Sequence, residues 1–163
     1  MTNNPIVGII MGSDSDLSVM EKTFAVMKEF DIPFEVKIIS AHRTPDVHAE
    51  YSKTAADRGI KVIIAAAGMA AHLPGVTAGH THIPVIGVPI SGKNFDGMDA
   101  LMAIVQMPPG IPVATVAVDG AKNAGLLAVQ MLALSDAELT AKYIKFKKEM
   151  AEASMKKNEK LNI

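Results

Sequence analysis

The chain has no cysteine and no tryptophan, and only 4% of its 163 residues are aromatic. Without cysteine there is no disulfide framework and no thiolate metal site, and a reducing cytosol is compatible. With so few aromatics, the stacking platforms that single-stranded nucleic acid requires are missing. Excess charge of one sign is missing too, the formal net charge being −1. That argues against nucleic-acid or anionic-membrane partners recruited by bulk charge. The longest apolar run, Val62 to Ala71, is too short to cross a bilayer and ends at His72. Met1 to Pro5 lacks the basic region and apolar core of a secretory leader. The expectation is a cytoplasmic protein with neither a nucleic-acid nor a membrane partner.

What is present suits one folded domain. Hydrophobic residues make up 49% and charged residues 20%, enough apolar surface for a sizeable core. No break in composition occurs before residue 134. The reading is a single domain over 1–163, with a core over 6–134 and a separate C-terminal helix over 136–156.

Strand and helix patterns alternate five times. Ile6 to Met11 is continuously apolar, as in a strand buried on both faces. Leu17, Met20, Phe24 and Met27 then recur at helical spacing. Phe34 to Ile39 reads as the second strand, and Val47, Tyr51 and Ala55 as the buried side of a second helix, stopped by Gly59. Lys61 to Ala66, Pro84 to Pro89 and Val113 to Val118 read as three more strands. Helices are expected over Leu73 to His80, Met98 to Val105 and Asn123 to Leu134. Such alternation with short connections predicts an α/β fold, a five-stranded parallel sheet with helices on both faces. Ser135 to Glu138 reads as a capping box. The long helix after it carries a stripe of Leu139, Tyr143, Phe146 and Met150 and a Lys-rich wet side. Its last residues are expected to fray, and the helix to lie on a neighbouring subunit.

The chemistry concentrates in loops at the carboxyl edge of the sheet, where ligands of open α/β sheets bind. Ser40-Ala41-His42-Arg43-Thr44-Pro45 follows the second strand directly, with Thr44 placed to cap and Pro45 suited to the first helical position. An imidazole beside a fixed cation suggests proton transfer next to an anion site; a solvated surface turn is the alternative. Gly12-Ser13-Asp14-Ser15-Asp16 is neither a P-loop nor a dinucleotide fingerprint. Its hydroxyls and helix amides suit a phosphate, and a carboxylate there suits ribose hydroxyls; simple helix caps fit equally. Ala65 to Ala71 holds only Ala, Gly and Met69, so a ligand can approach the backbone, and His72 ends that run. Ser91 to Asn94 is a candidate fourth wall. The five histidines, at 42, 48, 72, 80 and 82, include no HExxH pair, so no metal site is expected.

Taken together, four motifs resemble a known family: Met11-Gly12-Ser13-Asp14-Ser15-Asp16, Ser40 to Pro45, Ala70-Ala71-His72-Leu73-Pro74-Gly75 and Ile104-Val105-Gln106-Met107-Pro108. They match, in order and spacing, the bacterial N5-carboxyaminoimidazole ribonucleotide mutases of purine biosynthesis. The resemblance implies a flavodoxin-like three-layer α/β/α sandwich that assembles as a homo-octamer. It implies an isomerase moving a carboxylate from the exocyclic N5 to ring C4 of a small ribonucleotide, using no metal, cofactor or ATP. By the same resemblance Ser13 and Arg43 bind the 5′-phosphate and Asp16 the ribose. Ser40, Ala41, Gly68, His72 and Leu73 line the base and carboxylate pocket, and His42 is the general acid and base. Met69 stands where these mutases usually have glycine. A sister class carboxylates aminoimidazole ribonucleotide directly with CO₂ and tends to carry Ser-Ala-His-Lys; Arg43-Thr44-Pro45 looks like the mutase class. A non-catalytic phosphate-binding module is the remaining alternative. A phosphorylation receiver is weaker still, because the third strand ends in Ala and Gly where an acceptor Asp is needed.

Overall fold

A computed structural model describes residues 4–161; the first three residues of the stretch searched for a leader lie outside it. Five parallel strands form one sheet: β1 (Val7–Met11), β2 (Phe34–Ile38), β3 (Val62–Gly68), β4 (Val85–Ile90) and β5 (Ala114–Thr115), in the order β2-β1-β3-β4-β5. Six helices cover it: α1 (Leu17–Glu29), α2 (Pro45–Thr54), α3 (Leu73–His80), α4 (Met98–Val105), α5 (Ala121–Ala133) and α6 (Ala137–Met155). This is the expected flavodoxin-like α/β/α sandwich.

Because successive side chains of a strand point to opposite faces, each central strand feeds two cores. Val7, Ile9 and Met11 join Val62, Ile64 and Ala66 and then Ile86, Val88 and Ile90 beneath α1 and α5. Ile10 joins Ile63, Ala65 and Ala67 beneath α2, α3 and α4. On the first side α5 lies tight on α1. A Cβ at Gly125 would come 2.9 Å from Val26 Cβ, so glycine sets that spacing. The buried Thr23 hydroxyl donates to Ala121 O at 2.7 Å, satisfying a polar group inside this apolar contact.

Several local expectations differ in phase. Met20 and Met27 are buried as expected, but Leu17 is exposed and Phe24 only half-buried, and Thr23 and Val26 join the buried face of α1. A 3-10 turn over Asp14–Asp16 precedes α1 and turns its first residue outward. Val47 is likewise exposed on α2, whose inner face is His48, Tyr51 and Ser52. The fifth strand shrinks to two paired residues. Beyond Val116, whose N–H still reaches Gly87 O at 3.2 Å, the chain leaves the sheet edge through an Ala117–Gly120 turn. Asp136, rather than Ser135, caps α6 by accepting from the Leu139 N–H at 2.9 Å. The end expected to fray forms a 3-10 turn over Asn158–Lys160. Within its own chain α6 seats Leu139 in the core, and Phe146 meets the Phe30 ring edge-on at 5.6 Å between centroids. Its second half, with Met150 and Met155, is exposed.

On the α2 side, Gly8 of β1 leaves room for the Tyr51 hydroxyl, which a Cβ would overlap. Among the described residues that buried hydroxyl has no hydrogen-bond partner. Burial first, and then the nearby Glu35 carboxylate, push the phenol well above its ordinary pKa, so it stays protonated. Arg58 lies 4.6 Å over the ring and pairs with Glu35 at 2.9 Å. Gly8→Ala should therefore destabilise by roughly 1–3 kcal/mol through overpacking. Tyr51→Phe alone should be near neutral, because it deletes an unsatisfied buried group, and should recover most of the Gly8→Ala loss. Chemical denaturation of the two single variants and the double variant measures this. A Tyr51→Phe loss of more than about 1 kcal/mol would mean the hydroxyl bonds Glu35 in solution.

Candidate active site

From β1 the chain passes to β2 on one side, and β3 pairs on the other. The loops at the carboxyl ends diverge there and leave a crevice. A cavity of about 910 Å³ occupies it. Ser13 and Asp16 come from the loop after β1, and Ser40, Ala41, His42 and Arg43 from the loop after β2. Gly68, His72 and Leu73 come from the end of β3 and the start of α3. All nine line this one cavity.

The His42 turn is held from within. Arg43 N–H donates to Ser40 Oγ at 3.1 Å, and Thr44 Oγ1 donates to Ser40 O at 2.9 Å. Thr44 Oγ1 also accepts from Ser40 N–H at 3.1 Å. Thr44 is the N-cap residue of α2, but its hydroxyl closes the preceding turn rather than capping the helix amides. Pro45 takes the first helical position, where a missing N–H costs nothing.

The Arg43 guanidinium reaches across to the first loop. Its Nη2 donates to Gly12 O at 2.7 Å, while Nε reaches Ser40 Oγ at 3.4 Å. Among the described residues its other donors have no protein acceptor, so they remain available to an anion. Ser13 caps the 3-10 turn by accepting from Ser15 N–H at 3.3 Å. Asp16 is buried in the cavity wall, where desolvation raises its pKa above the ordinary carboxylate range against the opposing Ser15 hydrogen bond. A ligand offering hydroxyl donors would compensate that desolvation and favour the ionised form.

In the same cavity His42 Nε2 lies 2.8 Å from His72 Nδ1, with the rings edge to face at 5.0 Å between centroids. One ring must donate and the other accept, so a proton is shared between two imidazoles exposed to the cavity. Each ring is carried at the amino end of a helix: His42 just before α2, and His72 at the N-cap of α3.

The fourth loop supplies a wall that the sequence left open: Ser91 to Phe95 line the cavity with Ile90. Asp119 secures its start, with Oδ1 accepting from Ser91 N–H at 2.9 Å. Asp99 of α4 is a lining residue that sequence reasoning missed; its Oδ1 is buried without a partner among the described residues. A carboxylate in the first turn of a helix reads as ordinary charge complementarity, which hides any second role. Met69 adopts φ 56°, a left-handed backbone that favours glycine, and its largely exposed side chain is part of the cavity lining. Among the described residues no three His, Cys, Asp or Glu side chains converge as a metal-binding group. Among them, too, no helix is long and apolar enough to cross a membrane.

The AIR carboxylase family model matches residues 6–153. The N5-carboxyaminoimidazole ribonucleotide mutase of Pyrococcus abyssi is 59% identical over 90% of this chain and 84% of that protein. The phosphoribosylaminoimidazole carboxylase of Schizosaccharomyces pombe is 53% identical over 97% of this chain, but only 29% of that protein is matched. The crystal structure of Treponema denticola PurE superposes with a TM-score of 0.87 at 32% identity, covering 98% of this chain and 99% of that one. A match of this extent, on a chain whose four edge loops converge on one cavity, makes this protein a member of the AIR carboxylase family.

Proposed function

We propose that this protein is an isomerase of purine biosynthesis that converts N5-carboxyaminoimidazole ribonucleotide to its 4-carboxy isomer. The observation that carries the reading is the His42–His72 hydrogen bond at 2.8 Å, in the cavity that Arg43 also lines. It supports a proton-transfer group and an anion-binding group sharing one ligand-sized space.

In this reading Arg43 and Ser13 hold the 5′-phosphate, the guanidinium by paired charge-assisted donors. Asp16 accepts from the ribose hydroxyls. Ser40, Ala41, Gly68, His72 and Leu73 surround the base and its carboxylate. The C–N bond of the N5 carboxylate breaks, CO₂ leaves, and protonated His42 delivers its proton to the N5 amine. Ring C4 then bonds to the CO₂, and the C4 proton returns to His42. The imidazolium is regenerated and the net change is an isomerisation. One histidine suffices because the proton given in the first half is recovered in the second, and imidazole titrates near neutrality. The small side chains of Ala65 to Ala71 confine CO₂ between the two steps, which replaces a bimolecular recapture by a local one.

The same reading puts the enzyme in the cytoplasm as a homo-octamer. A groove between α5 and α6, lined by Leu126, Leu127, Tyr143, Phe146 and Met150, supports an assembly face. Deleting α6 would also strip the cover from Phe30 and remove Leu139 from the core, so a charge on the exposed half is the cleaner test. Met150→Glu should lower the sedimentation coefficient while leaving the fold intact; an unchanged assembly would remove this face from the contact.

The reaction is tested with two mixtures. N5-carboxyaminoimidazole ribonucleotide without bicarbonate should give the 4-carboxy product at low enzyme. Aminoimidazole ribonucleotide with bicarbonate should give little except at very high bicarbonate. The reverse pattern would assign the carboxylase reaction. His42→Asn should abolish turnover while ligand affinity, read by calorimetry, stays within about fivefold. Arg43→Gln should raise KM by roughly 10- to 100-fold, as expected for a lost charge-assisted bond, with a smaller effect on kcat. Equal loss of affinity and turnover in His42→Asn would reassign it to binding.

A further inference from the structure

A second pair of buried polar side chains joins the two helices that present the cavity histidines. His48 lies on α2 and Thr77 on α3, both buried, with His48 Nε2 2.7 Å from Thr77 Oγ1. The Thr77 hydroxyl has one hydrogen, and Leu73 O accepts it at 2.7 Å. The count of protons then assigns His48 as the donor through Nε2–H, since the other tautomer would take the hydrogen from Leu73 O. Burial first, and the His80 ring after it, lower the His48 pKa and favour the neutral ring that this assignment uses. His80 itself lies on α3, 6.2 Å away between centroids.

Each end of this bond stands next to a cavity histidine. His48 N–H donates to Thr44 O at 3.0 Å, and Thr44 is the residue that closes the His42 turn through Ser40. Leu73 is the chain neighbour of His72. The 2.8 Å contact between His42 and His72 completes a circuit: cavity pair, turn, α2, buried bond, α3 and cavity pair again. Neither His48 nor Thr77 lines the cavity.

We propose that the His48–Thr77 bond is a positioning element that sets the spacing and rotation of α2 against α3, and through them the His42–His72 contact. The inference rests on the reading of His42 as the acid and base. Apolar packing between two helices is non-directional and tolerates small rotations. A hydrogen bond weakens steeply once its angle is lost, so it selects one arrangement. Displacing reacting groups by about 1 Å can cost about 100-fold in rate, and a two-helix link six residues from His42 and five from His72 controls displacements of that size.

The test compares Thr77→Val, the double variant His48→Leu with Thr77→Val, and the conservative Thr77→Ser and His48→Gln. Replacing both partners by apolar groups leaves no orphan, so the double variant should fold with a melting temperature near that of the wild type. Expected are a fall in kcat of about tenfold in Thr77→Val and in the double variant, with KM within about twofold. Thr77→Ser and His48→Gln, which keep an acceptor and a donor, should restore kcat. The ring nitrogen signals of His42 and His72 in 15N NMR should move in the double variant and stay in Thr77→Ser, whether or not substrate turns over. A double variant with wild-type kcat and unmoved ring signals would overturn the proposal. A wild-type protein without turnover would overturn the isomerase reading, and the ring signals alone would then decide the positioning role.

Discussion

β1 lies between β2 and β3, and the chain departs from it to β2 at the edge on one side while β3 pairs on the other. Because successive parallel crossovers share one hand, this split sends α1 and α2 to opposite faces. The loops above β1, β2 and β3 therefore cannot close over one another, and the space between them is the cavity. Everything chemical in the molecule depends on that opening. Ser13, His42 and His72 are far apart in the chain, and they meet only because three neighbouring strands end together.

The opening is kept in shape by polar links rather than by bulk. Arg43 ties the second loop to Gly12 O of the first, and His42 and His72 tie the second to the third. Asp119 anchors the fourth through Ser91 N–H. Small residues at the end of β3 leave the floor thin, with Ala65, Ala66 and Ala67 buried and no side chain long enough to fill the space. A cation and a shared proton then line the same partly desolvated site. There, hydrogen bonds and charges act more strongly than they would in water.

Glycine serves two different ends in the cores. Gly125 lets α5 approach α1, and Gly8 makes room for the Tyr51 ring. At the cavity rim a left-handed turn carries Met69 rather than glycine, and its exposed side chain is part of the cavity lining.

Strand–helix alternation, continuous apolar runs and the edge motifs are local properties, and they were legible in the chain before any folding: five parallel strands, helices on both faces and three motif-bearing loops at one edge, while the full set of nine site residues came only from the family resemblance. Short-range turn chemistry was legible in part: Pro45 takes the first helical position as expected, whereas α6 starts one residue later than its capping box, at Asp136. Other features depended on contacts distant in sequence. The phase of α1 and α2 followed from how each helix meets the sheet, so Leu17 and Val47 turned outward while Thr23 and His48 turned in. The fifth strand was cut short where the chain turns at Ala117–Gly120, which a run of β-branched residues does not reveal. The partners of His42 and His48, residues 72 and 77, came from the packing of α2 against α3. A hydrogen bond across thirty residues of chain leaves no periodic trace; it exists only once two helices have been packed side by side.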